Sequence, residues 1–291
     1  MMVLKLQPVF FDKIWGGKKL KEKYNYPVSN NCGECWGISA HKNGSSIVMN
    51  TEFSGKTLKE LYNTNRELFG NYPNKEFPIL VKVIDAEDNL SIQVHPDNEY
   101  AKKENSLGKE ECWYVLDTDP DTEIIVGHNA KSKQEFEQAI KNGTLEHLCK
   151  SFKTKPGDFF YIETGTLHAI CKGTTLLEVQ QSSDITYRVY DYNRLQDGQP
   201  RDLHVKEALD VVSIPDKTLL TTHKNTFFNY DLVQNTTLSS YRSSKHGDYI
   251  FIIEGEGSFN KTPVRKGDFL MVSANSDYSV FGNIYFQKTT F

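Results

Sequence analysis

Three segments of the sequence place side chains that can bind a metal at the start or end of a strand-like run. In LSIQVH, Gln93 and His95 are two residues apart, so both side chains lie on one face. Pro96 cannot continue a central ladder, which puts this pair near the end of its strand. Glu111 begins the run ECWYVLD, and His168 follows a glycine-containing turn after GDFFYIE. Together they offer two imidazoles, one carboxylate and one amide oxygen.

This set of nitrogen and oxygen ligands suits zinc and also tolerates iron, manganese or cobalt. Three or four protein ligands leave room for a water molecule or a substrate. Each residue alone also has an ordinary structural interpretation. A lone histidine in a strand is more often hydrogen-bonded in a core or on a surface, and Glu111 could be a solvated edge residue, with Glu110 competing for its role. The combination favours a metal site.

Strand-like runs dominate the chain and must position these side chains. They are rich in Ile, Val, Phe and Tyr and are separated by clusters of Gly, Asn, Asp and Pro. Residues 77–190 and 248–291 both show many short strands with frequent turns, which predicts a mainly β fold of the sandwich or barrel type. Because barrel strands converge on one interior, residues far apart in sequence can meet there.

A short internal similarity indicates two related β modules. KPGDFFYIETGTLHAI (155–170) aligns with RKGDFLMVSANSDYSV (265–280), and another strand-like run precedes each copy. Where the first copy has His168, the second has Tyr278. We therefore expect chemistry in the first module only.

We divide the chain into a catalytic module, residues 1–212, and a degenerate C-terminal module, residues 213–291. Apolar residues at helical spacing predict three helical insertions in the first module, at about 54–70, 132–151 and 202–212. Asp202 is expected to cap the last of these helices.

The overall charge excludes some classes of partner. With 34 Lys plus Arg and 38 Asp plus Glu, the net charge is −4, which gives no footprint for nucleic acid. A local pocket could still bind a small anion. No stretch approaches the ~20 apolar residues that span a bilayer, and the first residues lack the apolar run of a signal peptide. We expect a cytoplasmic monomer or homodimer without membrane or nucleic-acid partners.

The five cysteines are odd in number and irregular in spacing, so a disulfide framework is not expected. Cys32 and Cys35 form a CxxC motif, which could be a redox pair or half of a zinc knuckle. No second CxxC or Cys/His pair follows at a comparable spacing, so a structural role is favoured.

Longer motifs resemble a known family. The pattern GD-x4-E-x-G-x-x-H in residues 157–168 resembles the second cupin motif, with Glu163 where the family usually has proline. More narrowly, the chain resembles the short bacterial type I mannose-6-phosphate isomerases. The matching segments run in consistent order through most of the first 210 residues: WGG (15–17), GECWGIS (33–39), LSIQVHPDNEYA (90–101), GKEECWY (108–114), GTLHAI (165–170), LLEVQQSSDITYRVYDYNR (176–194) and RDLHVKEAL (201–209).

The resemblance implies two cupin-type (jelly-roll) β-barrel modules and a zinc-dependent aldose–ketose isomerase that interconverts mannose 6-phosphate and fructose 6-phosphate. It assigns one zinc ion per chain to four ligands, which are Gln93, His95, Glu111 and His168. The active-site arginine of the family matches Arg188, its conserved lysine matches Lys109, and its aspartate matches Asp184. Lys-Glu-Glu stands here where longer members have Lys-Pro-Glu, which bears on the local path of residues 109–111.

Several roles stay open at this stage. Arg188 could stabilise an enediolate or hold the substrate phosphate. Alternatively, Arg188 and Arg194 could only pair with Asp184 and Asp191 on an exposed strand. Lys109 and Asp184 are candidates for proton transfer or for orienting a water molecule. Lys82, in the run VKVID, could contact the phosphate or only pair with an acid.

Two other functions fit the same residues. Two histidines and one carboxylate also describe non-haem iron oxygenases. A sugar-binding protein without turnover is the second alternative, because a fold does not determine a function. All four candidate ligands are present in the first module, which argues mildly against that second alternative.

Overall fold

The computed structural model describes residues 2–224 and 226–291, so residues 1 and 225 of the two predicted modules lie outside it. The described strands are β1 (Val3–Gln7), β2 (Val9–Gly17), β3 (Cys32–Ile38), β4 (Ala40–His41), β5 (Gly44–Ser45), β6 (Ile47–Val48), β7 (Ile79–Asp85), β8 (Ile92–Val94), β9 (Glu111–Thr118), β10 (Glu123–His128), β11 (Cys149–Lys153), β12 (Phe159–Ile162), β13 (His168–Ile170), β14 (Thr174–Gln181), β15 (Tyr187–Tyr190), β16 (Leu195–Gln196), β17 (Gln199–Pro200), β18 (Asn229–Asn235), β19 (Ser239–Arg242), β20 (Asp248–Phe259), β21 (Thr262–Arg265), β22 (Phe269–Val272) and β23 (Asp277–Thr290). The α-helices are α1 (Lys19–Tyr24), α2 (Leu58–Thr64), α3 (Asn98–Ala101), α4 (Lys133–Lys141) and α5 (Val205–Val211).

Three antiparallel sheets carry most of these strands. A six-stranded sheet has the order β12-β9-β14-β7-β3-β2, and a five-stranded sheet has the order β11-β10-β13-β8-β15. An eight-stranded sheet has the order β18-β23-β20-β22-β1-β6, with β19 on β23 and β21 on β20. The predicted β class is confirmed, but the sheets are not closed barrels. Among the described residues the outer strands of the six- and five-stranded sheets are not hydrogen-bonded to each other. Instead, one face of each sheet packs against the other sheet, as in a sandwich.

The core between these two sheets contains side chains from both of them. Trp113 and Phe160 come from the six-stranded sheet, and Ile124, Val126 and Ile170 come from the five-stranded sheet. Alternation along each strand points these residues inward, and the polar site residues use the same inward face nearer the ends of the strands.

The internal repeat has the same turn in both copies. Gly157 and Gly267 adopt φ angles of 94° and 88°, in the left-handed region that favours glycine. The Gly157 N–H donates to the carbonyl oxygen of Val115 at 2.9 Å, and the Gly267 N–H donates to that of Ile252 at 2.8 Å. After each turn a four-residue strand, β12 or β22, pairs with the longer strand that preceded it, β9 or β20.

The N-terminal segment contributes to the C-terminal sheet. Strand β1 pairs with β22, with Val3 opposite Val272, and β6 pairs with β1. The division at residue 212 stays a prediction, but two segments of the first part are hydrogen-bonded into the sheet built mainly from the second. The two parts also share a core, in which Phe251 and Phe269 of the second pack with Cys35 and Val83 of the first.

Gly37 in β3 packs directly against an aromatic ring of the second part. A Cβ atom at Gly37 would lie 2.2 Å from the ring of Phe269, which is fully buried. We predict that Gly37→Ala lowers the free energy of unfolding by about 1–3 kcal/mol, because an added methyl group must displace a packed ring. Thermal unfolding measures this loss. Adding Phe269→Leu should recover part of it, since the two residues are in contact. An unchanged Tm for Gly37→Ala would contradict this packing.

The helical insertions form near their predicted positions, with shorter bounds. Helix α2 begins after a Thr57–Glu60 capping box, and a 3-10 turn follows at Arg66–Phe69. Helix α4 begins after Ser132, whose side chain accepts from the Glu135 N–H at 3.1 Å. The capping role predicted for Asp202 is wrong. Helix α5 begins three residues later, after His204, which makes no side-chain capping bond.

The CxxC cysteines lie in β3 and are completely buried with free thiols. Burial raises the pKa of Cys32 to about 11, so its thiol stays protonated near neutral pH. This agrees with the structural role favoured from the sequence. Separately, none of the helices in the described residues has the length and apolar character needed to cross a membrane.

Candidate metal and substrate site

Strand ends bring three of the predicted ligands together. His95 directly follows β8, Glu111 is the first residue of β9, and His168 is the first residue of β13. One ligand atom from each lies within 4.8 Å of the others, and all three side chains are at most 1% exposed. Nε2 of His95 is 3.6 Å from Oε2 of Glu111, and Nε2 of His168 is 3.5 Å from Oε1 of Glu111.

The hydrogen bonds around His168 favour a cation at this place. Its Nδ1 lies 2.8 Å from the carbonyl oxygen of Thr166, so Nδ1 carries the proton and donates it. Nε2 then presents a lone pair toward the Glu111 carboxylate, which is also an acceptor. Burial lowers the pKa of His168 to about 4 and that of His95 well below its ordinary value, so both rings are neutral at pH 7. Neutral imidazoles oriented by a backbone acceptor are the usual form of histidine metal ligands.

Gln93 lies beside this trio. It is the cross-strand partner of His168, and its amide nitrogen is 3.4 Å from Nε2 of that ring. Its Oε1 accepts from the Ser91 hydroxyl at 3.3 Å. The fourth predicted ligand is therefore within reach of the trio, and its role as a ligand stays a prediction.

Lys109 contacts the trio directly. Its Nζ is 2.9 Å from Nε2 of His95 and 3.0 Å from Oε2 of Glu111, and the side chain is almost completely buried. The predicted Lys-Glu-Glu segment thus places its first residue at the site. Glu110, the competitor for Glu111, points to the opposite side of the sheet, where it hydrogen-bonds the Tyr161 hydroxyl.

Two buried carboxylates were missed by sequence reasoning. Glu178 in β14 lies 2.9 Å from Nζ of Lys82 and 3.9 Å from Nζ of Lys109. Burial, and then the charge of Glu111, raises the pKa of Glu178. Glu34 in β3 accepts from the Trp36 indole at 2.7 Å. The available signal was a charged residue within an apolar strand run, which requires a partner when it is buried.

Lys82 pairs with these carboxylates inside the sheet. Burial alone would lower the pKa of Lys82, but the charges of Glu178 and Glu34 outweigh it and raise that pKa above its ordinary value. Lys82 is therefore a buried cation at pH 7. From the sequence, Lys82 was expected either to contact the substrate phosphate or to pair with an acid. The acid partner, Glu178, is present, and the Lys82 side chain also lines a pocket between the two sheets.

A pocket of about 330 Å³ lies between the two sheets next to the trio. The predicted residues Lys82, Gln93, Lys109, Asp184 and Arg188 all line it. The other lining side chains come mainly from the inward faces of the same strands and from the first strands of the chain: Phe11, Lys13, Trp15, Glu34, Trp36, Asn43, Leu80, Ile84, Leu90, Ser91, Ile170, Glu178, Ser183, Thr186 and Arg201.

The arginines in and near the pocket differ in their partners. Arg201 donates to both oxygens of Asp191, at 2.7 and 2.6 Å, and Arg194 also pairs with Asp191. The guanidinium of Arg188 makes no ion pair or hydrogen bond within residues 2–224 and 226–291. Burial, and then the charge of Arg201, lowers the pKa of Arg188. The predicted alternative of arginine–aspartate pairing therefore holds for Arg194 with Asp191 and is wrong for Arg188 with Asp184. The pocket thus contains a cation available for an anionic group.

Asp184 lies at the rim of the pocket. Asn43 donates to its carboxylate, and Nε2 of His41 is 3.7 Å from Oδ1. The Asp184 side chain is 39% exposed, in contrast to the buried Lys109. The structure thus separates the two candidates for proton transfer, with one next to the trio and the other at the pocket mouth.

The second module has a direct hydrogen bond at the corresponding place. Glu111 lies opposite the last residue of β12, and Asp248 lies opposite the last residue of β22. The hydroxyl of Tyr278, the residue aligned with His168, donates to Oδ2 of Asp248 at 2.8 Å. This bond satisfies the buried carboxylate without a cation, and the expectation that only the first module carries chemistry stays a prediction.

The chain is similar in sequence and in structure to known proteins. Residues 3–153 match the family model for the catalytic domain of type I phosphomannose isomerases. The chain is 52% identical over 212 residues to a mannose-6-phosphate isomerase of Streptococcus mutans, covering 72% of this chain and 67% of the relative. It is 41% identical over 288 residues to the mannose-6-phosphate isomerase ManA of Bacillus subtilis, covering 91% of each. The crystal structure of the mannose 6-phosphate isomerase from Bacillus subtilis matches all of both chains with a TM-score of 0.94 and 38% identity.

Proposed function

The chain belongs to the type I phosphomannose isomerases, and from this premise we propose that it interconverts mannose 6-phosphate and fructose 6-phosphate through an enediolate with one zinc ion bound. The observation that carries the proposal is the buried trio of His95, Glu111 and His168 beside a pocket lined by basic residues. The family membership makes the chain an isomerase rather than an iron oxygenase or a sugar-binding protein without turnover. A cytoplasmic location and a monomeric or homodimeric state complete the proposal.

The proposed zinc ligands are the trio and Gln93. The trio fits a divalent cation because two neutral imidazoles face one buried carboxylate, and His168 holds its proton on Nδ1, away from Glu111. When bound, zinc would supply Lewis-acid polarisation of a sugar oxygen, without a redox step. The remaining chemistry is assigned to side chains of the pocket.

Lys109 and Glu178 are the proposed groups for moving protons near the trio. Lys109 contacts His95 and Glu111, and Glu178 is 3.9 Å from Lys109 on the pocket side. Burial raises the pKa of Glu178 toward the working range of a general acid or base, where such groups contribute about 10²–10⁴-fold to a rate. Asp184, at the rim, is proposed to orient substrate hydroxyls or water at the pocket mouth.

Arg188 and Lys82 supply positive charge to the substrate. The unpaired guanidinium of Arg188 presents a planar fork of donors inside the pocket, which suits an enediolate or a phosphate. Lys82, paired with Glu178, is proposed to contact substrate through its remaining hydrogens. These cations explain how a chain with a net charge of −4 can bind an anionic sugar phosphate.

Zinc removal tests the metal part of this proposal. Dialysis against a chelator should reduce the formation of fructose 6-phosphate from mannose 6-phosphate by about a thousandfold or more, because the Lewis acid contributes several kcal/mol. A coupled assay measures the product, and adding zinc should restore the rate. Full activity in protein shown to be metal-free would exclude the metal mechanism.

A further inference from the structure

The side-chain amides of Gln181 and Asn98 hydrogen-bond to each other and to the backbone on either side of Lys109, and we call this set of bonds the amide bridge. Residues 108–110 precede strand β9 and are buried, although they form no strand of their own. Gln181, the last residue of β14, lies beside them and is 4% exposed. Such a buried carboxamide must find partners for both its oxygen and its nitrogen.

The orientation of the Gln181 amide is fixed by backbone groups. The backbone N–H of Glu110 can only donate, and it lies 3.1 Å from Oε1 of Gln181. The Gln181 amide nitrogen must therefore face the other way, where it donates to Oδ1 of Asn98 at 3.1 Å. Oδ1 of Asn98 also accepts from the backbone N–H of Gly108 at 2.8 Å, which identifies that atom as the oxygen.

This bridge ties together the two segments that hold the site. Asn98 lies three residues after His95, and its Oδ1 joins that segment to Gly108 and to Gln181. The approach at Gly108 is close, because a Cβ atom there would lie 2.6 Å from the carbonyl carbon of Asp97. The bridge therefore fixes the distance between the turn after His95 and the loop before β9.

Lys109 depends on this bridge more than Glu111 does. Glu111 is held on both sides by β12 and β14. Lys109 precedes the strand, and its backbone N–H has one bond, to the carbonyl oxygen of Pro96 at 3.1 Å. The residues on either side of Lys109 receive the bridge from Asn98 and Gln181.

We propose that Gln181 and Asn98 are positioning residues that hold the Lys109 ammonium in place for catalysis. The proposal rests on the catalytic role proposed above for Lys109. Neither residue lines the pocket, so neither is expected to touch substrate. Their effect should appear in kcat and act through Lys109.

Gln181→Glu and Asn98→Asp each replace an amide by a carboxyl of the same shape at one shared hydrogen bond, but we expect opposite effects on that bond. Gln181→Glu keeps the acceptor for Glu110 but replaces the donor to Asn98 with a second acceptor, so two oxygens would face each other. Asn98→Asp keeps the only atom of Asn98 that the bridge uses. Gln181→Met removes both polar groups without adding charge, which covers the case in which the new carboxyl is protonated.

Steady-state kinetics on the zinc-loaded full chain test the proposal. We expect kcat to fall at least about tenfold for Gln181→Glu and Gln181→Met, with KM and zinc content within about threefold of the parent. Asn98→Asp should lose less than about threefold, and the exposed control Glu99→Gln should match the parent. Zinc content and Tm provide readouts that do not depend on activity.

A double-mutant cycle identifies the route of the effect. In a Lys109→Met background, Gln181→Met should change kcat by less than about threefold, because the group that it positions is already absent. An equal loss in both backgrounds, or a parental kcat for Gln181→Met, would overturn the positioning role while leaving the proposed function intact. A parental kcat for Lys109→Met would instead refute the catalytic role of Lys109, and the positioning proposal with it.

Discussion

Replacing His95 with alanine is expected to abolish zinc binding and to reduce kcat by about a thousandfold or more. The substitution removes one of two buried imidazoles and leaves Glu111 and His168 as the remaining members of the trio. Loss of a Lewis acid that contributes several kcal/mol corresponds to at least this factor in rate. Metal analysis of the purified protein and the coupled isomerase assay measure the two effects.

His128→Ala is the matched control for this substitution. His128 is also a buried imidazole of the five-stranded sheet, but it contacts the carbonyl oxygen of Ser213 and the backbone N–H of Ala130 instead of the trio. We expect a lower Tm for His128→Ala and an unchanged zinc content in the folded protein. An active His95→Ala protein that contains no metal would refute the proposed mechanism.

The predicted ligands could be found because their signals are local. Gln93 and His95 are spaced for one face of a strand, and a proline ends that strand immediately afterwards. His168 follows a glycine turn whose repeat in the second module can be checked against Tyr278. A strand end next to a turn is also where an inward side chain can reach a pocket. Local pattern and family resemblance therefore identified the same trio that the structure brings together.

Glu178 could not be identified in this way because its partner, Lys82, is distant in sequence. Glu178 occurs in the run TTLLEVQQ, where one carboxylate among apolar residues gives no indication of its partner. Its burial is compensated by Lys82 on the neighbouring strand β7, at a pairing that depends on the register of the sheet. Register is a property of the assembled sheet, so the ion pair follows from the fold and not from either segment alone.

The prediction that the sheets close into barrels was wrong for a related reason. Strand-like runs predict that sheets form, and the mainly β class followed from them. Whether the outer strands of a sheet meet depends on its accumulated twist and on what covers its faces. Here the five-stranded sheet packs its outer face on helices through Phe136 and Ala208, and the six-stranded sheet packs on the eight-stranded one. Each of these two sheets is therefore packed on both faces, although neither closes into a barrel.

Arg188→Ala is expected to reduce activity by about 10²–10³-fold while zinc content stays at one per chain. Its guanidinium lines the pocket and contacts none of the trio, so the metal should stay bound. The expected loss is that of removing one preorganised donor from developing negative charge. Arg188→Lys, which keeps the charge but loses the planar fork, should fall between the parent and the alanine variant. Zinc loss on Arg188→Ala would assign a structural role to this residue instead.

The division of the Arg188 effect between kcat and KM separates its two possible contacts. If the guanidinium stabilises the enediolate, the loss appears in kcat, because that charge develops only during the reaction. If it holds the phosphate, which is charged throughout, KM rises and kcat changes less. Arg194→Ala is the control, since Arg194 is paired with Asp191 and does not line the pocket, and it should leave both constants near those of the parent. The unpaired state of Arg188 beside the paired Arg201 therefore leads to a kinetic result that distinguishes catalysis from binding.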